Sequence, residues 1–426
     1  GVVKLNEDAD YDRLHDLANE HSALRGILGI QRNDYTECKK YNAQTIKDNV
    51  RLLSDEKIYE ISDIIVAGAH GLIKKKEDVG CLNLRIKADS FVVESNIHFP
   101  TDLNLLWDSL RKSLEKMHYF QLKYPSVSAR YKCPSWRNKA RRAYRTSSEI
   151  HRKKGGNYLY RLQKSVKNYL KVGRQIVSRG NELLKKLIDN ELFISRSNQS
   201  KNRHLLDLTF YLEMVEKHLN LVNRRILLGE KIPHSEKVFS IFEQHVEWNS
   251  KGKVNKSVEL GHNVLIATDQ YQLILHAQVY EHQVDKECTI DLSKKLEEKY
   301  GQTNELESLS LDRNFYSLPA EKALAKTFKI VVLPKPGRKS QLELAQEENE
   351  EYQKVKRAHS GVEGNINQLE HNGLGVCRDK GIEGFKRHVA YGVLSYNLHR
   401  LGSMLIEAER KEAKRALKRQ KKRLAA

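Results

Sequence analysis

Apolar positions recur along this chain at two spacings, and the changes between them mark out its elements. Leucines fall at Leu14, Leu17, Leu24 and Leu28 within Tyr11–Leu28, and Thr45–Val66 repeats the pattern with Val50, Leu53, Ile58, Ile61 and Ile65. Both runs hold their apolar side chains near one face of a 3.6-residue period, so residues 1–80 are predicted as a small helical module. From Leu82 the period drops to two. Leu82, Leu84, Ile86 and Ala88 alternate with Asn83, Arg85, Lys87 and Asp89, the pattern of a half-buried strand with Asp89 on its polar side. Pro100 closes that stretch, and a long helical region follows to about Gly252. Its best helix is Leu205–Leu228, apolar at Leu208, Leu212, Val215, Leu219 and Val222. Breaks are expected at Gly155-Gly156, at the polar run Ser195–Arg203 and at Pro233.

Strands return after Gly252. His262–Thr268 and Gln272–Tyr280 flank a turn at Asp269-Gln270 and predict a hairpin. Ile290–Tyr300 predicts a helix stopped by Gly301, and Leu306–Asp312 a short strand ending on an acid. Ala320–Phe328 predicts a helix and Lys329–Leu333 a buried strand, with Pro334–Gly337 as its stop. A charged helix is expected from Gln341 toward Glu370, and a final apolar helix over Val389–Leu405. With the helical block set aside, three strands precede an alternation of helix, strand, helix, strand, helix. That order predicts a mixed α/β fold, a mixed sheet flanked by helices, and it is the order of ribonuclease H-like folds. The expected organisation is an N-terminal helical domain over 1–80, a core over 81–100 and 255–408, a large all-α basic insertion over 101–254, and a basic tail over 409–426.

Charge adds a partner to this picture. The 75 Lys and Arg against 55 Asp and Glu leave a formal +20 over 426 residues, which points to a polyanion, nucleic acid ahead of anionic membrane. The surplus is concentrated: Arg111–Gly180 holds 20 Lys and Arg but only two acids, Glu115 and Glu149. Tyr119, Tyr124, Tyr131, Trp136, Tyr144, Tyr158, Tyr160 and Tyr169 are interleaved with them. Two arrangements fit: cations on phosphates with aromatic faces on bases, or a solvated helical surface with tyrosines in its core. The length of the stretch and its scarcity of acids favour the first. Arg137, Lys139, Arg141, Arg142, Arg145, Arg152, Lys153 and Lys154 are the DNA contacts expected there. Lys335, Arg338 and Lys339, just past the last strand, are a second set whose alternative is a plain turn. The block Arg410–Arg423 reads as a frayed basic helix or tail. Cys38, Cys81, Cys133, Cys288 and Cys377 lie far apart without C-x-x-C spacing, which disfavours a disulfide framework and a cysteine zinc site. The longest apolar stretch, near Ile64–Ile73, is interrupted by Gly68, His70 and Gly71 and is too short to span a bilayer. With no signal-peptide pattern before it, a cytoplasmic protein without a membrane partner is expected.

Candidate chemistry rests on carboxylates. If their strands are sheet neighbours, as in ribonuclease H-like folds, Asp89 and Asp312 would stand roughly 5 Å apart, a spacing at which two carboxylates share a divalent cation. Mg²⁺ takes oxygen ligands and is commonly held by one or two carboxylates plus substrate phosphate oxygens. Glu363 is the third candidate, on a helix whose apolar stripe is Val362, Ile366 and Leu369 and whose adjacent face carries His359, Glu363, Asn367 and Glu370. Among 55 acids accidental triples are common, and a surface salt bridge is the usual fate of any one. Asp269 and Asp285 are rival ligands.

Three ordered segments give these acids a context. Ala88-Asp89-Ser90-Phe91-Val92-Val93-Glu94-Ser95-Asn96-Ile97-His98-Phe99-Pro100-Thr101-Asp102 resembles the first catalytic motif of bacterial insertion-sequence transposases of the DDE type. The nearest pattern is that of the ISNCY-like group, D-x-T-V-V-E-x-N-I-H-Y-P-T-D. Ser308–Ser317 resembles the second motif, and His359–His371, continuing through Gly384–Arg387 and Tyr396–Arg400, the third. The likeness runs from about Tyr11 to Gly402 and implies that Asp89, Asp312 and Glu363 are a catalytic, metal-binding triad. It further implies two Mg²⁺ ions, with Mn²⁺ as a substitute. One would activate a water or a DNA 3′-hydroxyl and the other stabilise the leaving oxygen. The implied partner is double-stranded DNA, both the element's ends and its target. The active complex would be a homodimer or larger, in a bacterial, nucleoid-associated setting.

Asn367 and His371, within two turns of Glu363, are expected to support the site. Glu94 and Asp102 belong to the first motif, with Asp102 expected to cap the helix Leu103–Leu114. Three features depart from the family. Ser90 replaces a common Thr; Glu370 and His359 stand where a Y-R-E-K signature would have Lys and Arg; and the helical insertion follows the first strand. The functional expectation is DNA strand cleavage and strand transfer. The alternatives are a catalytically inactive DNA-binding descendant and a ribonuclease H-like structure-specific nuclease.

Overall fold

Strand β1 (Asn83–Ser95) is the centre of a seven-stranded mixed sheet in the computed structural model, which describes all residues except 30–39, 126–130, 190–198, 251–256, 339 and 425–426. The other strands are β2 (Glu247–Ser250), β3 (Val258–Thr268), β4 (Ile274–Val279), β5 (Glu305–Ser310), β6 (Ile330–Val332) and β7 (Val376–Cys377). The path across the sheet is β2-β3-β1-β5-β6; β4 also pairs with β3, and β7 with the end of β1. β3 runs antiparallel to β1, β2 and β4, whereas β5 and β6 are parallel to β1 and to each other. The expected hairpin is present as β3–β4, closed by the Asp269 N–H donating to the Leu273 carbonyl at 3.1 Å.

The helices before β1 are α1 (Val2–Asn6), α2 (Tyr11–Glu20), α3 (Ser22–Ile27), α4 (Ala43–Arg51) and α5 (Asp55–Glu77). Between β1 and β2 lie α6 (Asp102–Lys123), α7 (Cys133–Lys153), α8 (Tyr158–Ile188) and α9 (Gln199–Val222). After β4 come α10 (Asp285–Tyr300), α11 (Leu318–Thr327), α12 (Gln341–Glu348), α13 (Glu350–Ala358), α14 (Gly361–Leu369) and α15 (Ile382–Leu424). Two compact units result: Gly1–Asn96 with His245–Ala426, and Ile97–Gln244.

In the first unit the pleat of β1 divides its side chains between two cores. Leu84, Ile86 and Ala88 pack with Leu265 and Ala267 of β3 against Cys288, Leu292 and Leu296 of α10. Phe91 and Val93 turn the other way, with Val264 and Ile266, onto Val362 of α14 and Phe385 and Val389 of α15. The alternation ends at Phe91-Val92-Val93, all buried, because a central strand covered on both faces has no solvent side. Residues 1–80, expected as a module of their own, belong to this unit: Leu5, Leu14, Val50 and Ile58 share the second core with the sheet.

Among the described residues the second unit is built mainly from the α-helices α6–α9, around a core that includes Leu106, Leu110, Phe120, Tyr169, Ile176 and Leu212. Its edges differ from the expected 101–254 because Glu247–Ser250 pairs with β3 as a strand. The break at Gly155-Gly156 is present, with positive φ at Lys154, Gly155 and Asn157. On α8, a Cβ at Gly173 would lie 2.7 Å from Leu219, and one at Gly180 2.5 Å from Leu212, so glycine permits α9 to approach there.

Two expected helices are redrawn. The single charged helix toward Glu370 is three helices, because Asn349 caps α13 with its side chain and Ser360-Gly361 are weak helix formers. The final helix runs unbroken from Ile382 to Leu424, so the basic tail continues it. Among the described residues no helix is long and apolar enough to cross a membrane.

Candidate active site

The site starts from register. Lys87 of β1 is level with Ser310, the last residue of parallel β5, so Asp89 and Asp312, each two residues further on, lie towards the same end of the two strands, and Asp312 is near enough for its charge to act on Asp89. Asp89 is half-buried and its Oδ1 accepts from the Ser90 N–H at 2.7 Å; Asp312 is exposed, with Oδ1 accepting from the Arg313 N–H at 2.7 Å. Burial pushes the Asp89 carboxyl above the usual carboxylate range, against the Ser90 N–H and His359, and the charges of Asp312 and Asp285 add to the rise. A carboxyl raised by burial, and further by neighbouring carboxylates, is one that a cation beside it would stabilise in its charged form.

The other flank comes from the break between α13 and α14. His359 sits at that break, off the helix that carries Glu363, and its Nδ1 lies 3.2 Å from the Oγ of buried Ser310. Gly361 packs over Lys87: a Cβ there would lie 2.5 Å from the lysine Nζ. Lys87 projects from the same strand face as Asp89, and burial lowers its pKa while Asp269 opposes the shift. Glu363, two residues past Gly361, is exposed in the first turn of α14. Asp89 and Asp312 are thus brought together, but among the described residues no three His, Cys, Asp or Glu side chains form a group able to hold a metal ion. Two carboxylates fit a hard cation that completes its shell with water and phosphate oxygens.

The remaining candidates fall elsewhere. Asn367 and His371 are exposed and do not bond either carboxylate; the buried amide of that helix is Asn365, which bonds Tyr396 and lies 3.5 Å from the Thr268 hydroxyl. Asp269 is fully buried as a turn lock, accepting from His70 Nε2 at 2.8 Å and from the N–H groups of Tyr271 and Leu273. Asp102 does not cap α6: Thr101 does so, in a capping box with Asn104, and Asp102 accepts from Arg225 at 2.9 Å. Asp285 opens α10, five residues before the expected start, which brings its charge to bear on Asp89. Lys87 and Ser310 were not singled out from sequence, although the two-residue period of β1 places Lys87 on Asp89's face.

In the insertion, Arg137, Lys139, Arg141, Arg142, Arg145, Arg152 and Lys153 lie on α7 and Lys154 just past it, all exposed. Lys153 pairs with Glu149 at 2.6 Å, whereas no ion pair among the described residues engages Arg137, Arg141, Arg142 or Arg145. α8 adds exposed Lys164, Lys167, Lys171 and Arg174, which are residues three or four apart on one helix face. The aromatics behave otherwise. Tyr131 and Tyr169 are buried, Tyr144 stacks on Trp107 at 5.7 Å, and Trp136 is flanked by Lys139 and Arg179 at 4.7 and 4.6 Å. Most therefore fill the helical core, and of the eight Tyr160 is the exposed one. Arg338 is exposed on the turn after β6, Lys335 is half-buried, and Lys339 lies outside the described residues. Comparisons with protein-family models, with curated proteins and with solved structures each returned no match to this chain.

Proposed function

We propose that this chain is a DNA transposase that cuts and joins DNA strands on a ribonuclease H-like core, with the helical insertion gripping the duplex. The observation that carries the reading is that Asp89 on β1 and Asp312, just past the end of parallel β5, lie close enough for the charge of Asp312 to add to the rise that burial imposes on Asp89. The strand order supports it: three antiparallel strands, β4, β3 and β1, followed by parallel β5 and β6. The exposed, largely unpaired cations of α7 and α8 are the surface a phosphate backbone requires.

Asp89 and Asp312 would hold the divalent cation, with Glu363 as the third ligand that the motif order implies. When bound, such a cation supplies Lewis-acid activation of a water or a 3′-hydroxyl and offsets charge on the departing oxygen. Lys87, beside Asp89 on the same strand face, is positioned to attract the scissile phosphate. His359, hydrogen-bonded to Ser310, would hold the α13–α14 break against the end of β5. A second reading, a DNA-binding protein without catalysis, is favoured by one observation: no three-ligand group forms among the described residues.

The two separate on incubation with Mg²⁺ or Mn²⁺ and labelled DNA carrying the element's terminal repeats. Nicked and joined ends that vanish in Asp312→Asn support the transposase. Ends that are bound but never cut support the binding protein.

A further inference from the structure

Helix α5 leaves one side uncovered, and that side is apolar where surface helices are usually charged. Ile61, Ile64, Gly68 and Gly71 follow one another at three- and four-residue steps along it, with Leu72 four residues past Gly68, all exposed, Ile64 at 70 %. The charged residues of α5 between Glu60 and Lys75 are Asp63 and Lys74, which flank the row and are engaged by Lys299 and the Thr303 carbonyl. The opposite side of the same helix is spent in the two cores through Ile58, Val66, Ala69 and Ile73. Beside Gly71 opens a cavity of about 520 Å³ whose lining mixes Ile64, Ala67 and Gly71 with the charged Asp63, Lys74 and Lys299 and with Asn304. Asn304 is buried on its wall with Oδ1 lacking a partner among the described residues, so the cavity is unfinished in a single chain.

Charge along the row says what covers it. The first half of α5 carries Asp55, Glu56, Glu60 and Asp63 against Lys57, and its last turns carry Lys74, Lys75 and Lys76 against Glu77, so it is net acidic at one end and net basic at the other. Such a helix complements its own reverse. We propose that two copies of this chain associate through antiparallel α5 helices that cross at Ala67-Gly68. A two-fold axis there sets Ile64 of each copy over Gly71 of the other, next to the cavity, and Glu60 of each against Lys75 of the other. Lys57, already paired with Glu60 at 2.7 Å, faces Asp78 of the second copy in the same arrangement. The small residues at the crossing let the backbones approach, and nothing lies within 4 Å of a Cβ placed on Gly68 or Gly71 in the single chain. This inference stands apart from the proposed chemistry, since it involves neither carboxylate nor DNA.

Sedimentation of the full chain without DNA tests it. The wild type is expected to be a dimer, and Ile64→Asp a folded monomer, checked by an unchanged circular-dichroism spectrum and a cooperative melt. Because the substitution acts twice in a symmetric pair, dimerisation should weaken by about a hundredfold or more. Glu60→Lys and Lys75→Glu should each weaken the dimer, and the two combined should restore it. In a Cys38→Ser/Cys81→Ser background, Gly68→Cys should form a disulfide-linked dimer on mild oxidation. A monomeric wild type, a dimer indifferent to Ile64→Asp, or a double charge swap that fails to restore association would each overturn the proposal.

Discussion

The two units of this protein use charge in opposite ways. In the insertion, cations stand in water along α7 and α8, while the aromatic rings between them turn inward to fill the helical core. In the sheet-bearing unit, charges are drawn inward and given partners. Asp269 is buried against His70, Lys4 is buried against Asp379 at 3.0 Å, and Asp89 is half-buried beside Asp312. An exposed cation costs little and needs only a count to be found. A buried carboxylate is expensive unless something answers it, so its position carries more information about chemistry.

The sharpest way to separate the two is to remove one answer at a time. Asp312→Asn should abolish metal-dependent cleavage, by on the order of a thousandfold, and leave DNA affinity unchanged, measured by gel shift beside strand cleavage. A variant that cuts like wild type would sever the carboxylate pair from any chemistry. The converse variant reverses charge at Arg141, Arg142 and Arg145, which are exposed and unpaired on α7 among the described residues. Affinity should fall by roughly a hundredfold, with the salt slope shallower by about 3, one unit for each lost phosphate contact. An unchanged slope would return these cations to the role of a solvated helix face.

How far each region was legible follows from the same contrast. The period-two run ending at Asp89 and the acid closing the Leu306 strand were visible because alternation reports pleat directly. That the two strands are neighbours could only be assumed from the element order, since the pairing of β5 parallel beside β1 is long-range, and alternation does not report it. Glu363 shows the limit. Its heptad-like spacing read as one helix with His359, whereas the break at Ser360-Gly361 turns His359 onto Ser310 and leaves Glu363 exposed. The independence of residues 1–80 was misjudged because amphipathic periodicity shows that a face is buried but not what buries it; here the sheet unit does. The tyrosines of the insertion misled for a similar reason: composition places them among cations, and only the packing of α6–α9 sends them inside.

Stability tests the insertion from its core rather than its surface. Gly180→Val would drive a side chain into the space of Leu212, and should destabilise the helical unit by about 1–3 kcal/mol in urea denaturation. If α8 and α9 are held apart in solution, the substitution will instead be close to neutral. The tip residue Tyr160, exposed on the same helix, offers a control expected to leave stability alone when changed to Ser.

The last test puts the sheet unit's inward charges on a pH axis. His276 of β4 is buried, and burial, aided by Lys295 and Lys299, pulls its pKa down to about 3. The folded state therefore holds a neutral imidazole, while the unfolded chain takes up a proton below the ordinary value near 6.5. Stability that is fully present above about pH 6.5 should be lost as the pH falls toward 3, by about 2 kcal/mol at pH 5. His276→Phe has no proton to take up, so between pH 7 and pH 5 its unfolding free energy should decline less than that of wild type by that amount. The difference between the two slopes is the quantity to read, because it cancels whatever the phenyl ring does to packing at both pH values. Equal slopes would mean that His276 titrates normally, and that this buried strand does not exclude water from the ring as its burial implies.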